Sequence, residues 1–588
     1  MKNMSRVWVN IIHTALTDIM AEEGLEGELS FEEVVAEQPP KPEMGDLAFP
    51  MFVYSKILKQ APQVLAQKVA EKLEGMEKSE VPGTVSQAGG YLNVFIDRSG
   101  VIEETLITVF SLGEEYGKSK DFSGKKIMVE FSCPNTNKPL HLGHLRNDAL
   151  GESITNILKS CGGDVRKVNL INDRGVHICK SMLAYQQFGE NSDPADEGIK
   201  SDHFVGDYYV KYDQWAKEDP SAETKAQDML KLWERGDETV TALWKKMNGW
   251  AISGIEETYE RTGIHFDQYY FESETYKLGK DEVVKGLEQG AFYRDGEGTV
   301  WVDLEDIDLD KKVLLRKDGT SLYLTQDLGT AISRYADWPF DRLIYVVGSE
   351  QQYHFTVLFH VLKKLGYSWA KDLYHLSYGM VNLPEGKMKS REGTVVDADD
   401  LIEELQVLAE KEIREKERVD DEEKITQTAS AIALGALNYY LLRINPSKDM
   451  IFNPKESISF NGETGPYLQY VGARISSMLL KYDEKKDDHF KGTFNPELLT
   501  APEEWELVKL LSEYPNIVMQ AAEKLDPSRI AGFLYDIAKV YSRYYHDYPI
   551  LHNENEDLVE TRVQLCRAIV SVLRNAFLLI GIPFLSAM

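Results

Sequence analysis

A length of 588 residues is too great for a single hydrophobic core, so the chain is expected to fold as several domains. Hydrophobic residues make up 43% and charged residues 28%, as in ordinary globular proteins, and no apolar run approaches the roughly 20 residues that cross a bilayer, so no membrane partner is expected. The net charge of −30 argues against general nucleic-acid binding, because phosphate binding depends on Lys and Arg, although a local basic face is compatible with it.

The cysteines and the first residues indicate the cellular compartment in which the protein is expected. Cys133, Cys161, Cys179 and Cys566 are scattered and form no CxxC pair, which argues against a disulfide framework and a structural metal and favours a reducing compartment. Residues 1–20 mix apolar and polar residues, as an amphipathic helix does, and lack the uninterrupted apolar stretch of a signal peptide. We therefore expect a cytoplasmic protein.

The first half of the chain predicts two kinds of domain. Two helical stretches and a strand-like segment at 90–97 indicate an α+β domain at the N-terminus. Further on, residues 126–131 alternate like a strand, apolar residues between 150 and 161 have helical spacing, and residues 165–171 predict a second strand. This strand–helix–strand unit is typical of the start of a Rossmann-type, doubly wound parallel sheet.

The second half predicts more of the same sheet and then helices. Residues 343–347 and 376–381 predict two more strands, separated by a helix after Ser349, and nearly everything beyond residue 429 has a helical period. The predicted class is therefore an α/β multidomain protein with an all-α C-terminal bundle. The predicted parts are an N-terminal domain at 1–117, a Rossmann-type domain at 118–189 and 262–384, an acidic helical insertion at 190–261, a loop and linker region at 385–428, and a helical bundle at 429–588.

The most specific pattern is PNTNKPLHLGH at 134–144, which follows a predicted strand and opens a helix. The unpaired N–H groups of a helix start attract phosphate, two histidines can add donors to the same anion, and Gly143 lets a ligand approach the backbone closely. By itself the pattern is weak, because His141 and His144 could simply cap the helix. Its place at the first crossover of a parallel sheet favours ligand binding.

A second pattern, GKMKSREGT at 386–394, follows the last predicted sheet strand and carries three cations, Lys387, Lys389 and Arg391. A cationic loop of this kind can close over a triphosphate and stabilise charge that develops during adenylate formation. Alone it would more often be a solvated turn. The order of the two patterns along one chain favours a joint role in nucleotide binding.

The two patterns resemble the signature motifs of class I aminoacyl-tRNA synthetases, and the surrounding residues are similar to arginyl-tRNA synthetases. The likeness covers most of the chain outside the acidic insertion and includes GDLA at 45–48, YLTQD at 323–327, GETGPYLQY at 462–470 and the closing Met588. The resemblance implies ATP-dependent attachment of L-arginine to its tRNA through arginyl-adenylate, with release of AMP and pyrophosphate. Mg²⁺ would enter with ATP, and tRNA, arginine and ATP would be the partners of a monomer.

The resemblance also implies which residues act on ATP. The chain departs from the class pattern because Ser390 stands where a lysine usually lies two places after the methionine, with Lys389 one place earlier. In the family, Lys138 can take over part of the phosphate-stabilising role. The implied catalytic residues are Lys138, His141, His144, Lys387 and Lys389, and the implied ATP-binding residues are Pro134, Gly143, Val381, Met388, Ser390 and Arg391.

An arginine pocket needs carboxylates, because the guanidinium is planar, permanently charged and rich in donors. By resemblance, Asn135 and Gln351 would hold the α-amino and α-carboxyl groups, Tyr323 and Asp327 would face the guanidinium, and Glu130 would complete the pocket. Taken singly, other roles are open: Asp327 could cap a helix, Glu130 could be an exposed strand residue, and Tyr323 could belong to the core. A hydrogen-bonding pocket of this kind makes an editing domain unnecessary.

The terminal domains are expected to bind tRNA. The C-terminal bundle resembles the family's anticodon-binding domain, and the candidates for contact there are Tyr467, Tyr470, Arg474 and Met588. Tyrosines at this spacing share a helix face, so a core role is the alternative. The N-terminal domain resembles the family's module for the outer corner of tRNA, with Asn93 and Phe95 as candidates. The family also implies that activation of arginine waits for tRNA.

Three alternatives compete with this interpretation. A small-molecule nucleotidyltransferase could share the histidine pattern, but it would not need the two terminal domains. A regulatory protein could keep the scaffold without catalysis, which intact His141, His144 and Lys387 disfavour. Among synthetases, enzymes for glutamate and glutamine are disfavoured by a pocket with Glu130 and Asp327, whereas lysine is harder to exclude by charge.

Overall fold

The computed structural model describes residues 2–25, 29–37, 39–76, 81–317, 319, 322–384, 396–415, 421–485 and 492–588. At its centre is a five-stranded sheet in which every neighbouring pair is parallel. A smaller α+β unit precedes this sheet in the chain, and a helical region follows it. The predicted fold class is confirmed.

The N-terminal unit is an antiparallel sheet of three strands with helices packed on it. Its core is formed by side chains such as Trp8, Ile12, Phe49 and Leu92, each fully buried. The middle strand is β3, flanked by β1 and β2. The elements in chain order are α1 (Lys2–Glu22), β1 (Leu47–Pro50), α2 (Pro62–Glu74), β2 (Gly83–Ala88), β3 (Tyr91–Ile96) and α3 (Arg98–Leu112).

The central sheet begins with a strand, a helix and a strand, as the hydrophobic periodicity predicts. The strand β4 (Lys126–Glu130) is followed by α4 (Leu142–Ser160) and β5 (Asp164–Ile171). Four helices of the acidic insertion come next, and no strand occurs among residues 190–261, all of which the structure describes. The helices between β5 and the next strand are α5 (Val176–Phe188), α6 (Pro194–Glu197), α7 (Ser201–Glu218), α8 (Ser221–Glu234) and α9 (Glu238–Thr262).

The chain then returns to the central sheet. Between two of its strands, along the chain, lies a small antiparallel sheet that the sequence analysis did not predict. This small sheet has the order β7-β8-β9. The elements in chain order are β6 (Gln268–Phe271), α10 (Glu272–Glu288), β7 (Tyr293–Arg294), β8 (Val300–Val302), β9 (Lys312–Leu315), α11 (Tyr323–Asp337), β10 (Arg342–Gly348), α12 (Gln352–Lys364) and β11 (Leu373–Tyr378).

The order of the central sheet, β11-β10-β4-β5-β6, determines where a ligand can bind. From β4 the chain adds strands in one direction through β5 and β6, and it later returns to the other side of β4 with β10 and β11. The topological switch point therefore lies between β4 and β10, where Glu130 pairs with Tyr345 at the carboxyl end. Crevices at such points are the usual ligand sites of open parallel sheets.

The strand predicted at 376–381 ends earlier, at Tyr378, and the chain then runs close to Lys448 at Gly379. A Cβ atom on Gly379 would lie 2.3 Å from the carbonyl carbon of Lys448, so only glycine allows this approach. Val381 consequently belongs to a separate strand that pairs in parallel with Met450. This two-stranded sheet consists of β12 (Val381–Asn382) and β13 (Met450–Ile451).

The C-terminal region is helical and packs on the helix that follows β4. The Ser153 hydroxyl of α4 donates to the carbonyl of Leu579 (2.8 Å), so the far end of α4 is fixed on the last helix of the chain. The remaining helices are α13 (Ala398–Glu415), α14 (Glu422–Leu442), α15 (Pro454–Ser457), α16 (Gly465–Lys485), α17 (Pro502–Lys524), α18 (Ser528–Asp547) and α19 (Glu556–Leu579).

Candidate active site

A cleft with a volume of about 550 Å³ lies at the start of α4, beside the carboxyl end of β4. The loop after β4 supplies one wall, and helix α7 of the acidic insertion supplies much of the other. The residues that line the cleft are Asn135, Asn137, Lys138, Pro139, Leu140, His141, His177, His203, Gly206, Asp207, Tyr209, Val210, Tyr323 and Asp397. Four of these, Asn135, Lys138, His141 and Tyr323, are predicted site residues.

The two histidines cap α4 and are linked to each other by a hydrogen bond. The backbone N–H of Gly143 donates to Nδ1 of His141 (3.1 Å), and the backbone N–H of His141 donates to Nδ1 of His144 (3.1 Å). The two rings lie 3.9 Å apart between centroids. Because each Nδ1 accepts a hydrogen bond, each neutral imidazole carries its proton on Nε2, where it is available to an external acceptor. Capping and ligand binding are therefore compatible.

Burial removes positive charge from this end of the cleft. It lowers the pKa of His141 to about 4, with a smaller effect from Lys138, and it lowers the pKa of His144 well below the ordinary value. Burial also lowers the pKa of Lys138. At neutral pH the histidines are thus hydrogen-bond donors without charge. Gly143 leaves no room for a side chain, because a Cβ atom there would lie 2.8 Å from Cε1 of His141.

The second sequence motif lies outside the residues that the structure describes, and with it the predicted residues Lys387, Met388, Lys389, Ser390 and Arg391. Its two flanks are described, and both contact α4 or the residues just before it. Arg146 of α4 donates to the carbonyl of Met380 (3.0 Å), next to the buried Val381. On the other side, the N–H of Leu142 donates to the carbonyl of Val396 (3.0 Å). The described segments on both sides of the motif therefore contact the helix that bears the histidines.

The predicted amino-acid residues lie around the carboxyl ends of β4 and β10. Asn135 is exposed in the loop after β4 and lines the cleft, and Gln351 is exposed in the turn after β10. Tyr323 is the first residue of α11 and is 72% exposed, so a core role is wrong. Asp327 lies in the second turn of the same helix, whose N-cap is Leu322, so a capping role is wrong as well.

Glu130 is not an exposed strand residue, since it is 4% exposed and forms an ion pair with the buried Arg334. Burial raises the pKa of Glu130, and the charge of Arg334 opposes that rise. The negative charge of Glu130 is therefore already compensated inside the protein. Asp327 is less enclosed, and its Oδ2 lies 2.6 Å from Nε2 of His354.

Glu272 is a further acid at this edge that the sequence analysis missed. It directly follows β6, is 9% exposed and lies 4.0 Å from Arg174. Burial raises the pKa of Glu272 to about 7; Arg174 opposes the rise and the negative charge of Asp327 adds to it. Glu272 and Asp327 thus influence each other electrostatically. The signal available in the sequence was the one used for Glu130, an acid at the carboxyl end of a strand.

The backbone between β4 and Asn135 is strained. Ser132 and Cys133 have φ angles of 72° and 49°, which place two consecutive non-glycine residues in the left-handed region. Each such residue costs about 1–2 kcal/mol. Strain of this kind persists only where surrounding contacts hold it, and it is concentrated at functional sites.

Helix α7 connects the cleft with the flank of the second motif. Asp399, near the start of α13, accepts hydrogen bonds from Lys200 (2.8 Å) and Arg261 (2.9 Å). Asp202, His203 and Asp399 lie close enough to share a cation, but the ammonium of Lys200 already occupies that position between the two acids. The cluster is therefore an ion-pair network between the insertion and α13.

The predicted tRNA-binding residues of the C-terminal bundle separate into two groups. Tyr470, Arg474 and Met588 line one cleft of about 690 Å³, in which the guanidinium of Arg474 lies 4.5 Å from the ring centre of Tyr470. Tyr467 does not line this cleft, and its hydroxyl lies 2.9 Å from that of Ser542 on α18.

In the N-terminal unit the two candidates also differ in exposure. Phe95 on β3 is 36% exposed, whereas Asn93 on the same strand is only 5% exposed. Residues two positions apart on a strand share one face, so the difference reflects what covers that face at each position. Over the described part of the chain, no helix has both the length and the apolar character needed to cross a membrane.

Comparison with known proteins fits this architecture. A family model described as the catalytic domain of class I (R) tRNA synthetases matches residues 106–454, more than half of the chain, so the chain carries the catalytic domain of a class I aminoacyl-tRNA synthetase. An arginine–tRNA ligase of Treponema denticola is 56% identical over the full length of both chains, and one of Borrelia hermsii is 45% identical over 94% of each. The chain belongs to the arginyl-tRNA synthetase family.

The terminal domains and solved structures agree with this assignment. The models of the arginyl tRNA synthetase N-terminal domain and the DALR anticodon-binding domain match residues 7–96 and 468–588. Thermus thermophilus arginyl-tRNA synthetase superposes with a TM-score of 0.77 at 25% identity, covering 98% of this chain and 99% of that one. The Plasmodium falciparum enzyme, at 19% identity and a TM-score of 0.73, shares the fold. The family's reaction is attachment of arginine to tRNA through an adenylate, which excludes the three alternatives raised by the sequence.

Proposed function

We propose that the cleft between β4, α4 and α7 carries out both steps of this reaction, with ATP phosphates at the histidine end and the arginine side chain at the acidic end. The observation that supports this proposal is the arrangement of polar groups in and beside the cleft. Phosphate-binding groups gather at the start of α4, and carboxylates gather at the ends of β4, β6 and in α11. L-Arginine bound between them has its carboxylate near the phosphates and its guanidinium near the acids.

In the first step, an oxygen of the arginine carboxylate attacks the α-phosphorus of Mg-ATP. A new P–O bond forms, the bond to the β-phosphate oxygen breaks, and pyrophosphate leaves with the electron pair. Mg²⁺ enters as part of the ATP complex. Catalysis comes from positioning and from stabilising phosphate charge, so no covalent intermediate with the enzyme is needed.

We assign the phosphate contacts to groups that can donate without moving. The Nε2–H groups of His141 and His144 and the first N–H groups of α4 meet the phosphate oxygens, and Lys138 supplies positive charge. Lys387 and Lys389 add charge from the second motif. The other ATP contacts are assigned, as the resemblance implies, to Pro134, Gly143, Val381, Met388, Ser390 and Arg391.

We assign the guanidinium to Tyr323 and Asp327, and we add Glu272 because it is electrostatically coupled to Asp327. Asn135 and Gln351 hold the α-amino and α-carboxyl groups. Glu130 has a supporting role behind the pocket, since it is buried and Arg334 already compensates its charge. A cation in a cleft requires such compensation, and the partly exposed Asp327 is the acid best placed to supply it.

In the second step, the terminal ribose hydroxyl of tRNA attacks the activated carbonyl, and AMP leaves. The C-terminal cleft of Tyr470, Arg474 and Met588 is the proposed anticodon contact, and Phe95 is the proposed contact at the outer corner of tRNA. Tyr467 and Asn93, with their more enclosed positions, are weaker candidates. We further propose a cytoplasmic monomer with domains at 1–117, 118–189 with 262–384, 190–261, 385–428 and 429–588.

The test is aminoacylation of total tRNA with individually labelled amino acids. We expect charging with arginine only, and equal charging with lysine would contradict the assignment of the acidic end. Pyrophosphate exchange measured with and without tRNA then tests the order of binding. We expect exchange to depend on tRNA, and full exchange without tRNA would show that arginine activation does not wait for it.

A further inference from the structure

The loop that carries Asn135 is fixed by hydrogen bonds from buried side chains that do not line the cleft. The strained residues Ser132 and Cys133 link the end of β4 to this loop. The backbone N–H of Ser132 donates to Oδ1 of Asn147 (2.6 Å), and the backbone N–H of Cys133 donates to Oδ1 of Asn169 (3.0 Å). Both N–H groups of the strained turn are thus bound by side chains of other elements, one from α4 and one from β5.

A tyrosine of the acidic insertion completes this arrangement. Tyr259, on α9, is 3% exposed. Its hydroxyl accepts a hydrogen bond from Nδ2 of Asn169 (3.0 Å) and lies 2.6 Å from the hydroxyl of Ser132. The orientation of Asn169 is fixed, because its Oδ1 is occupied by the N–H of Cys133. The hydroxyl proton of Tyr259 is therefore available to the Ser132 oxygen.

Further hydrogen bonds fix the backbone between Cys133 and Asn135. Asn172, just after β5, donates through Nδ2 to the carbonyl of Cys133 (2.9 Å), and its own N–H donates to the carbonyl of Pro134 (3.0 Å). Asn135 forms a parallel bridge with Asn172. Each residue from Ser132 to Asn135 therefore has a backbone group that contacts another element.

We propose that Tyr259 is a positioning residue for arginine binding: its hydroxyl, acting through Ser132 and Asn169, holds the left-handed turn that directs Asn135 into the cleft. Without this bond the strained turn relaxes toward an ordinary conformation, and Asn135 moves away from the amino acid. The acidic insertion thereby takes part in amino-acid selection through a buried bond, in addition to lining the cleft. This inference rests on the role proposed above for Asn135.

The test compares Tyr259→Phe with Tyr212→Phe in the full-length enzyme. Both tyrosines are buried in the insertion, but the Tyr212 hydroxyl bonds to Glu223 (3.2 Å), away from the loop. Phenylalanine retains the ring packing of Tyr259 on Phe266. In tRNA-supported pyrophosphate exchange we expect Tyr259→Phe to raise the KM for arginine about five- to tenfold, with the KM for ATP within about twofold, the effect of one lost hydrogen bond. Tyr212→Phe should leave both values unchanged.

Ser132→Ala removes the same bond from the other side and should reproduce the effect, which guards against a folding defect specific to one variant. Asn135→Ala provides the reference. Because Tyr259 acts through Asn135, the double variant Tyr259→Phe/Asn135→Ala should have the arginine KM of Asn135→Ala alone, whereas multiplied effects would overturn the inference.

The outcomes separate the inference from the role of Asn135. An arginine KM unchanged in Tyr259→Phe but raised in Asn135→Ala overturns the inference and leaves the role of Asn135 intact. A raised KM in Tyr259→Phe with no change in Asn135→Ala also overturns the inference, because Tyr259 would then act on arginine binding by a route other than Asn135. No change in either variant rejects both.

Discussion

The two ends of the catalytic cleft use burial in opposite ways. At the histidine end, burial lowers the pKa values of Lys138, His141 and His144, so the charged forms of these groups are disfavoured. At the acidic end, burial raises the pKa values of Glu130 and Glu272, so groups that are anions in water retain protons more strongly. At each end, burial therefore opposes the charge that the ligand at that end requires.

This difference has a consequence for ligand binding. A polyphosphate favours the protonated forms at one end, and a guanidinium favours the ionised forms at the other, because each ligand stabilises the charged form of the groups it meets. The acids at the arginine end also have partners within the protein, Arg334 for Glu130 and His354 for Asp327. Because these charges are compensated locally, a substitution at one end should leave ligand binding at the other end unchanged. Separate measurements of arginine and ATP kinetics can check this expectation.

The strongest test of this independence is Asp327→Asn. Loss of the charge that faces the guanidinium should raise the KM for arginine about 100-fold, the scale of a charged hydrogen bond in a buried site, while the KM for ATP stays nearly unchanged. Tyr323 and Glu272 would retain part of the pocket. The measurement is pyrophosphate exchange in the presence of tRNA, with each substrate varied in turn.

A matched control is Asp306→Asn. Asp306 also pairs with a histidine, His360 (2.9 Å), but outside the cleft, so the loss of an Asp–His pair is reproduced without the loss of a ligand contact. Unchanged arginine kinetics in Asp327→Asn would reject the guanidinium contact. A parallel rise in the KM for ATP would show that the two ends are not independent.

A smaller effect is expected at the phosphate end. Lys138→Ala should lower the single-turnover rate of adenylate formation about 30-fold, because a cation beside the transferring phosphorus is lost from a site with little other positive charge. Lys389→Ala should lower it less. The KM for arginine should change by less than about twofold in Lys138→Ala. Equal rates for the two lysine variants would reject the special role of Lys138.

The acidic end should also show a pH effect of a few fold. With the pKa of Glu272 raised to about 7, this acid is half protonated at neutral pH in the free enzyme, and arginine favours its ionised form. The KM for arginine should therefore fall as pH rises from 6 to 8, and this fall should be smaller in Glu272→Gln. Glu288→Gln, at the exposed end of the same helix, is the control and should keep the dependence. A dependence equally strong in Glu272→Gln would assign it to another group.

Local patterns were sufficient to predict the elements that carry the site. The alternation at 126–131 corresponds to β4, and the PNTNKPLHLGH pattern marks the start of α4, because both depend on neighbouring residues. The short strands β7 and β8 were not predicted, since each has three residues or fewer and shows no period. The position of Asp327 in the second turn of α11, too far in to cap the helix, also became clear only with the observed start of that helix.

The pairing of groups could not be predicted from local patterns. Glu272 and Asp327 are far apart in the chain and approach each other only because β6 ends, and α11 begins, at one edge of the sheet. The bond of Tyr259 to Ser132 joins the insertion to β4 across 127 positions. The ion pair of Glu130 with Arg334, which compensates a predicted ligand group, is likewise a tertiary contact. Residue type and spacing identified candidates, but their charge state depends on these contacts.

The smallest kinetic effect, and a stability effect, are expected at Asp148, which lies one turn beyond His144 on α4. Burial raises its pKa to about 8, a hydrogen bond with Ser132 opposes the rise, and the charge of Glu152 adds to it. An ionised Asp148 would oppose polyphosphate at the histidine end. Since the group is mostly protonated at pH 7, Asp148→Asn should leave the KM for ATP within about twofold.

The stability effect has a definite sign. The folded state holds the Asp148 proton up to about pH 8, whereas the unfolded chain releases it near the ordinary value of 3.8, so this group makes stability fall as pH rises between those values. Asp148→Asn removes that fall, and its Tm should exceed the wild-type Tm by several degrees at pH 8 and by less at pH 5, at roughly 2–4 °C per kcal/mol. Asp310→Asn, at an exposed position, should show no pH-dependent difference. A Tm difference for Asp148→Asn that is the same at both pH values would mean that Asp148 is ionised in the folded enzyme, and the histidine end would then carry a negative charge that ATP must overcome.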